Sequence, residues 1–187
     1  MGILLTLTGP SGAGKTTLAK HLLKTPGFRM VTSLTTRQSR PDDIRREYRH
    51  VTRQHIIELE RRNLLLWKAE HGGHLYATER DSVVQTLRTK DVIGIMVLVP
   101  EVLERLESFL VENGFGSSRT SVFLIPPPPV VFWSRIEGKR DLEEIRRRQK
   151  SEVHWEAWAR SSGLKFYFVT NDQSIQNAAL RVRQLVR

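Results

Sequence analysis

Gly9-Pro10-Ser11-Gly12-Ala13-Gly14-Lys15-Thr16 is the stretch that decides how the rest of the chain is read. Its form is G-x-x-x-x-G-K-[ST]. Glycines let the backbone turn tightly and aim successive N–H groups into one concavity, where they meet anionic oxygens. A helix starting directly behind such a turn adds its positive end. Lys15 suits the β and γ phosphates of a nucleoside triphosphate, and the Thr16 hydroxyl suits magnesium. At ordinary residue frequencies a chance match is expected in on the order of one chain in a hundred or fewer. The flanks agree with a phosphate loop: Ile3 to Thr8 reads as a strand, and Lys15 to Lys24 has helical spacing with Leu18, Leu22 and Leu23 on one side. Gly9, Pro10, Ser11, Gly12, Ala13, Gly14, Lys15, Thr16 and Thr17 are therefore the expected site for ATP and Mg²⁺, with Lys15 also acting in catalysis and Thr16 as the metal ligand. The loop alone does not choose between kinase, ATPase and GTPase.

Moving outward, apolar runs alternate with helical patterns. Met30 to Ser33 reads as a short strand and Thr35 to Glu47 as a polar loop. Thr52 is placed to cap a helix through Ile56, Ile57 and Leu59. Leu64 to Trp67 and Leu75 to Thr78 read as strands around a turn at Gly72-Gly73, and Asp81 to Thr89 as a helix. Val92 to Val99 is a continuous apolar run, as in a strand buried on both faces. Pro100 is expected to open the next helix. Val122 to Ile125 and Phe166 to Thr170 read as strands. Pro126–Pro129 lead into a helix to about Glu137, Leu142 to Arg160 has a long basic helical pattern, and Ser174 to Arg187 reads as the last helix. This order argues an α/β fold: a P-loop NTPase-type three-layer core with a parallel β-sheet flanked by helices. The basic stretches at 33–80 and 138–160 interrupt the alternation and read as segments hung on that core.

A chain of 187 residues fits one domain, and 39% hydrophobic residues suffice for its core. Cysteine is absent, so disulfides and thiolate metal sites are excluded, and a cytoplasmic location suits such a chain. Met1 to Thr8 lacks the basic leader and cleavage site of a signal peptide. The apolar runs are too short for a membrane span. Met1 to Thr6 also matches a myristoylation pattern, set aside because the same residues read as the first buried strand. The net charge is +10, and 22 of the 30 basic residues are arginine. Arginine's planar fork of donors suits phosphate. No basic strand interleaved with aromatics is present, so charge alone argues only weakly for nucleic acid. Arg61, Arg62, Arg181 and Arg183 fall in helical patterns and are expected to face water.

The segment Ser33-Leu34-Thr35-Thr36-Arg37-Gln38-Ser39-Arg40-Pro41, followed by Tyr48, resembles the substrate segment of guanylate kinases. Gly73-x-x-Tyr76-Ala77-Thr78, Ile125-Pro126-Pro127, Arg135 to Lys139, Glu143 through Arg148, and Val169-Thr170-Asn171-Asp172 follow in the family's order, so the likeness spans nearly the whole chain. It implies a single guanylate-kinase-like domain over 1–187, with a core of about 1–32, 80–137 and 161–187. An acceptor-binding insertion would occupy about 33–79 and a helical lid about 138–160. It also implies that Arg37, Arg40, Tyr48 and Tyr76 hold the acceptor phosphate, with Ser33 and Thr78 in the acceptor site. Arg135, Lys139 and Arg148 would be the clamps of the lid, and Asn171 would sit near the donor adenine. The chemistry agrees, because two arginines three apart on a loop can close on one phosphate with forked hydrogen bonds.

Two positions depart from the family pattern. Trp67 stands where guanylate kinases place a glutamate that reads guanine, and Glu70 would replace it only through a backbone shift. The strand at 93–99 lacks the family's Asp-x-Asp; Met96 lies there instead, and the first acid is Glu101, beyond Pro100. Guanine's N–H donors left without an acceptor would cost roughly 1–3 kcal/mol. The expected function is ATP-dependent phosphoryl transfer to a phosphorylated small-molecule acceptor, a nucleoside monophosphate such as GMP. One alternative is a sugar phosphate kinase like ribose 1,5-bisphosphate phosphokinase. Another is a non-catalytic binding module of the same shape, which the intact phosphate loop disfavours.

Overall fold

Leu4, Leu5 and Leu7 are fully buried, as expected of a strand covered on both faces. They belong to β1 (Ile3–Thr8), the central strand in a sheet ordered β2-β7-β1-β8-β9. Its other members are β2 (Phe28–Met30), β7 (Ile93–Val97), β8 (Arg119–Ile125) and β9 (Tyr167–Thr170). β2 runs parallel to β7 and β8 parallel to β9. In the computed structural model, which describes residues 1–41, 43–136, 143, 150, 152–171 and 174–186 (of 134–136 the backbone only), this is the α/β architecture with a parallel sheet that the apolar alternation implies. The backbone divides into two compact units, and β1, β7 and β8 each lend residues to both.

The first unit comprises Met1–Leu4, Pro26–Met96 and Glu101–Arg119. It holds a second sheet, ordered β4-β3-β6-β5, made of β3 (Ser33–Thr35), β4 (Tyr48–His50), β5 (Leu65–His71) and β6 (His74–Glu79). The stretch expected as one strand at 30–33 thus splits, because Met30 ends a strand of the parallel sheet and Ser33 begins one of the mixed sheet. β5 and β6 form a hairpin closed by Gly72 and Gly73, at φ 59° and 78°. Both central residues of such a tight turn need positive φ, which glycine adopts without strain. Leu34, Leu65, Leu75 and Ala77 on one face of this sheet pack with Ile56 and Leu59 of α2 (Arg53–Arg61). Thr52 caps that helix as expected, its hydroxyl accepting from the His55 N–H at 3.2 Å. α3 (Arg80–Arg88) follows directly. Pro100 opens a single 3₁₀ turn, Pro100–Val102, and α4 (Leu103–Glu112) begins only after it.

The second unit comprises Leu5–Thr25, Val97–Pro100 and Thr120–Arg187. The hydroxyls of Thr6 and Ser121 meet at 2.6 Å between β1 and β8. α1 (Lys15–Leu22) packs on α7 (Ile175–Leu185), whose N-terminus is capped by Ser174. α5 (Pro129–Ile136) follows the proline run. Trp155 and Ala159 of α6 (Trp155–Ser161) pack on Phe123, beside Phe166 and Phe168. A turn at Val153–His154 precedes α6, so the long helix expected to Arg160 is interrupted there; much of its earlier part lies outside the described residues. Arg61, Arg62 and Arg181 are exposed as expected, but Arg183 is half-buried, with its Nε out of contact with solvent. Among the described residues no helix is long and apolar enough to cross a membrane.

Candidate functional site

The phosphate loop lies in the second unit. Gly14, at φ 101°, is the N-cap of α1; no side chain caps this end, and its first turn carries no acid. A helix leaves its first amides without intrahelical acceptors, and its dipole adds positive potential there. The site is thus built for an anion. Gly14 is required on two grounds. Its φ is unfavourable for a side chain, and a Cβ there would collide with the Asn171 amide. Asn171, just after β9, is 6% exposed; its Nδ2 donates to the Ala13 carbonyl at 3.1 Å and its backbone N–H to the Ile125 carbonyl at 3.3 Å. It holds the loop from beneath.

Lys15 Nζ folds back on its own loop, donating to the Gly9 carbonyl at 2.5 Å and the Pro10 carbonyl at 3.0 Å. Thr16 is half-buried on the first turn of α1. Glu152 is a participant that the sequence reading passed over. Its carboxylate, 4% exposed, accepts from the Ser11 N–H at 2.5 Å and the Ser11 hydroxyl at 3.0 Å. It follows a run of basic residues, in the stretch at 142–160 read as a long basic helical pattern. One signal was present: Glu152, Trp155 and Ala159 fall three and four apart, and all three are buried. That carboxylate is also a test of fit, since an anionic oxygen already rests on an amide of the loop. Among the described residues no cluster of His, Asp and Glu is placed to hold a metal, so the Thr16 hydroxyl is the chain's own candidate ligand.

The residues expected to bind the acceptor lie in the first unit, most of them on the face of the mixed sheet opposite α2. Register places Ser33 beside Tyr48, Leu34 beside Ala77, Thr35 beside Tyr76 and Trp67 beside Thr78. Partners in such pairs point to the same face. Ser33 Oγ and Thr78 Oγ1 accordingly meet at 2.8 Å, both buried. Tyr48 and Tyr76 contact edge to face, with centroids 5.8 Å apart. Arg37 lies over the Tyr48 ring at 5.4 Å. Five of the six expected acceptor residues are therefore gathered on one surface. Arg40 is the sixth: its backbone N–H donates to Asp43 Oδ2 at 2.9 Å, while its side chain is exposed.

Asp43 and Glu47 were not singled out from the sequence, although they are two of the three acids of an otherwise basic loop at 36–47. Arg37 donates to Asp43 Oδ1 at 2.6 Å and to the Gln38 carbonyl at 2.7 Å, and its side chain is 8% exposed. Burial opposes the charge of the guanidinium, but Asp43 and then Tyr76 outweigh it and hold its pKa above the ordinary value. Burial likewise opposes ionisation of Asp43, but Arg37 and the Arg40 amide hold its carboxyl below the usual range. Glu47 differs, since burial dominates and raises its pKa. Its carboxyl accepts from the Ile44 N–H at 3.3 Å and hydrogen-bonds the Tyr48 side chain. Burial first, and then Glu47, push the Tyr48 hydroxyl well above the phenol range, so it stays a donor.

Trp67 is 6% exposed. Glu70 pairs with Leu75 on the other face, is exposed, and lies 3.8 Å from Arg53, so it does not reach the polar face. Met96, on β7, is buried. Arg135 falls on α5, but its side chain lies outside the described residues, as do Lys139 and Arg148.

Residues 2–186 match the family model described as guanylate kinase. A guanylate kinase of Rhizobium meliloti is 31% identical over 194 aligned positions, covering 99% of this chain and 82% of the relative. One of Nostoc sp. is 32% identical over 161, covering 83% of this chain and 77% of the relative. The crystal structure of guanylate kinase from Anaplasma phagocytophilum superposes with a TM-score of 0.71 at 22% identity, covering all of this chain and 85% of that one, which is a likeness of fold.

Proposed function

Because the chain belongs to the guanylate kinase family, we propose that it transfers the γ-phosphoryl group of ATP to a nucleoside monophosphate, with GMP as the first acceptor to test. The observation that supports this reading is that one chain carries two unlike features suited to phosphate. One is a helix N-terminus with no side-chain cap and no acid in its first turn, behind a loop on which Lys15 is folded. The other is a buried arginine set against two tyrosines.

In this reading the backbone N–H groups of the loop at 9–17, Pro10 excepted, hold the donor triphosphate, and Lys15 leaves the Gly9 and Pro10 carbonyls for its β and γ phosphates. Thr16 would ligate magnesium, which when bound neutralises charge on the phosphates. Arg37, Tyr48 and Tyr76 hold the acceptor phosphate, with Arg40 turning in from solvent, and Ser33 and Thr78 contact the remainder of the acceptor. No protein base is needed, because the acceptor oxygen is already anionic. Catalysis is then positioning and charge stabilisation, to which Arg135, Lys139 and Arg148 would add cations from the lid. Asn171 acts here by holding the loop. The reaction suits the cytoplasm, where its substrates are made.

Trp67 favours a second reading, a phosphorylated sugar as acceptor, since the position that would read guanine carries no carboxylate. A coupled ADP-release assay over GMP, dGMP, AMP, UMP, CMP and ribose 1,5-bisphosphate tests both. Saturable release with a nucleoside monophosphate supports the first reading, and release with the sugar bisphosphate alone supports the second. Release with none of them excludes both.

A further inference from the structure

The indole of Trp67 reaches the acceptor face through an irregularity in β5. Leu65 pairs with Glu79, yet Trp67 pairs with Thr78, so two steps along β5 match one along β6. Such a bulge re-aims the following side chain. Leu65 stays with the apolar cluster under α2. Trp67 passes to the opposite face, into the row Tyr48, Ser33, Thr78, Trp67. In that row the Ser33 and Thr78 hydroxyls satisfy one another, and the Tyr48 side chain is bonded to Glu47. The Trp67 Nε1–H is buried and has no hydrogen-bond partner. Buried donors are nearly always paired, and an orphan calls for an explanation. An indole nitrogen can only donate.

We propose that Trp67 is a specificity residue whose indole N–H donates to an oxygen on the non-phosphate part of the acceptor. The inference rests on the acceptor face being where the phosphorylated acceptor binds. It says what that acceptor must offer, an oxygen such as a base keto group or a sugar hydroxyl. It also says what the site ignores. Glu70 and Glu79, the carboxylates of β5 and β6, belong to the other face, so no acid of these strands reads the N–H groups of a base. Where that oxygen is a base keto group, a 6-oxopurine is favoured over a 6-aminopurine, and the 2-amino group that separates GMP from IMP counts for little. A site that reads guanine through a carboxylate would prefer GMP strongly.

The test is read on Trp67 itself. Four indole N–H signals are expected in a ¹H–¹⁵N spectrum of the full chain, and Trp67→Phe identifies one by its loss. GMP, IMP, AMP and ribose 1,5-bisphosphate are titrated in turn. A downfield shift of the Trp67 proton is expected on saturation with GMP and IMP, with dissociation constants within about threefold of each other, and not with AMP. Trp67→Phe is expected to weaken the shifting ligands at least fivefold and leave AMP unchanged. A shift with ribose 1,5-bisphosphate alone assigns the oxygen to a sugar. The inference is overturned if the Trp67 signal stays put while a ligand binds, if Trp67→Phe binds every ligand as the parent does, or if none of the four binds. Binding with the expected shift but no ADP release would remove the kinase reading and leave the role of Trp67 standing.

Discussion

In the proposed function, the phosphate loop and the acceptor face serve the same kind of ligand by opposite means. The loop uses backbone. Its donors are amides at the start of α1, set by the left-handed Gly14 and held from below by Asn171. The acceptor face uses side chains drawn from β3, β4, β5, β6 and the loop at 36–47, and its cation is already neutralised by Asp43 at 2.6 Å. Backbone donors need few particular residues at fixed spacing; side-chain donors need a sheet in the right register. The loop is therefore sensitive to backbone strain, and the face to loss of charge and to packing.

The largest effect is expected at Lys15. Lys15→Ala should lower kcat by about 10²–10³, the scale for losing a donor aimed at transition-state charge. Acceptor binding by calorimetry should stay unchanged; weakened acceptor binding would erase the distinction between the two regions.

Arg37→Ala comes next. It removes the cation of the acceptor face and leaves Asp43 with the Arg40 amide, so stability should fall by about 1–3 kcal/mol, and kcat/KM for the acceptor by roughly 10²-fold. Affinity for ATP should hold, and a loss confined to ATP would reverse the assignment of sides. Arg37→Lys restores the charge but not the fork and should recover only part of the loss.

Gly14→Ala should cost about 1–3 kcal/mol through its positive φ, measured by urea unfolding. It should weaken the nucleotide and leave acceptor binding intact; a variant as stable as the parent would discredit the account of the loop.

These contrasts also explain what the sequence made legible. The loop announces itself because Gly9, Gly14, Lys15 and Thr16 fall within eight consecutive residues at a spacing suited to phosphate. The helix at Arg53–Arg61 carries its cap, Thr52, in the expected place, and the last helix, Ile175–Leu185, begins directly after Ser174, which caps it. The acceptor face was only half visible. Arg37, Tyr48 and Tyr76 followed from resemblance, but Asp43 gives no local signal that it will lie 2.6 Å from Arg37. The bulge before Trp67 depends on the pairing of β5 with β6, which no local pattern encodes. Glu152 was hidden for a similar reason: its partner, Ser11, is 141 residues away.

A smaller effect concerns pH. Asp43 is held below its ordinary pKa, so its contribution is full above about pH 4 and is lost as pH falls through the folded value. Glu47 is raised, so its contribution has the opposite sign, present below about pH 4.5 and lost as pH rises through the folded value. Melting temperature against pH should therefore lose its acidic decline in Asp43→Asn and, in Glu47→Gln, lose the decline that begins above about pH 4.5. Identical profiles for parent and variants would mean that neither carboxyl is perturbed.

The central claim is that phosphate moves from ATP to the acceptor, rather than to water or nowhere. It is tested most directly by following the label of [γ-³²P]ATP with magnesium and each phosphorylated acceptor, separating the products by chromatography. The label is expected in a nucleoside diphosphate, at a rate that saturates with the monophosphate and collapses in Lys15→Ala. Label that stays in ATP, or appears only as inorganic phosphate whatever the acceptor, would contradict the account.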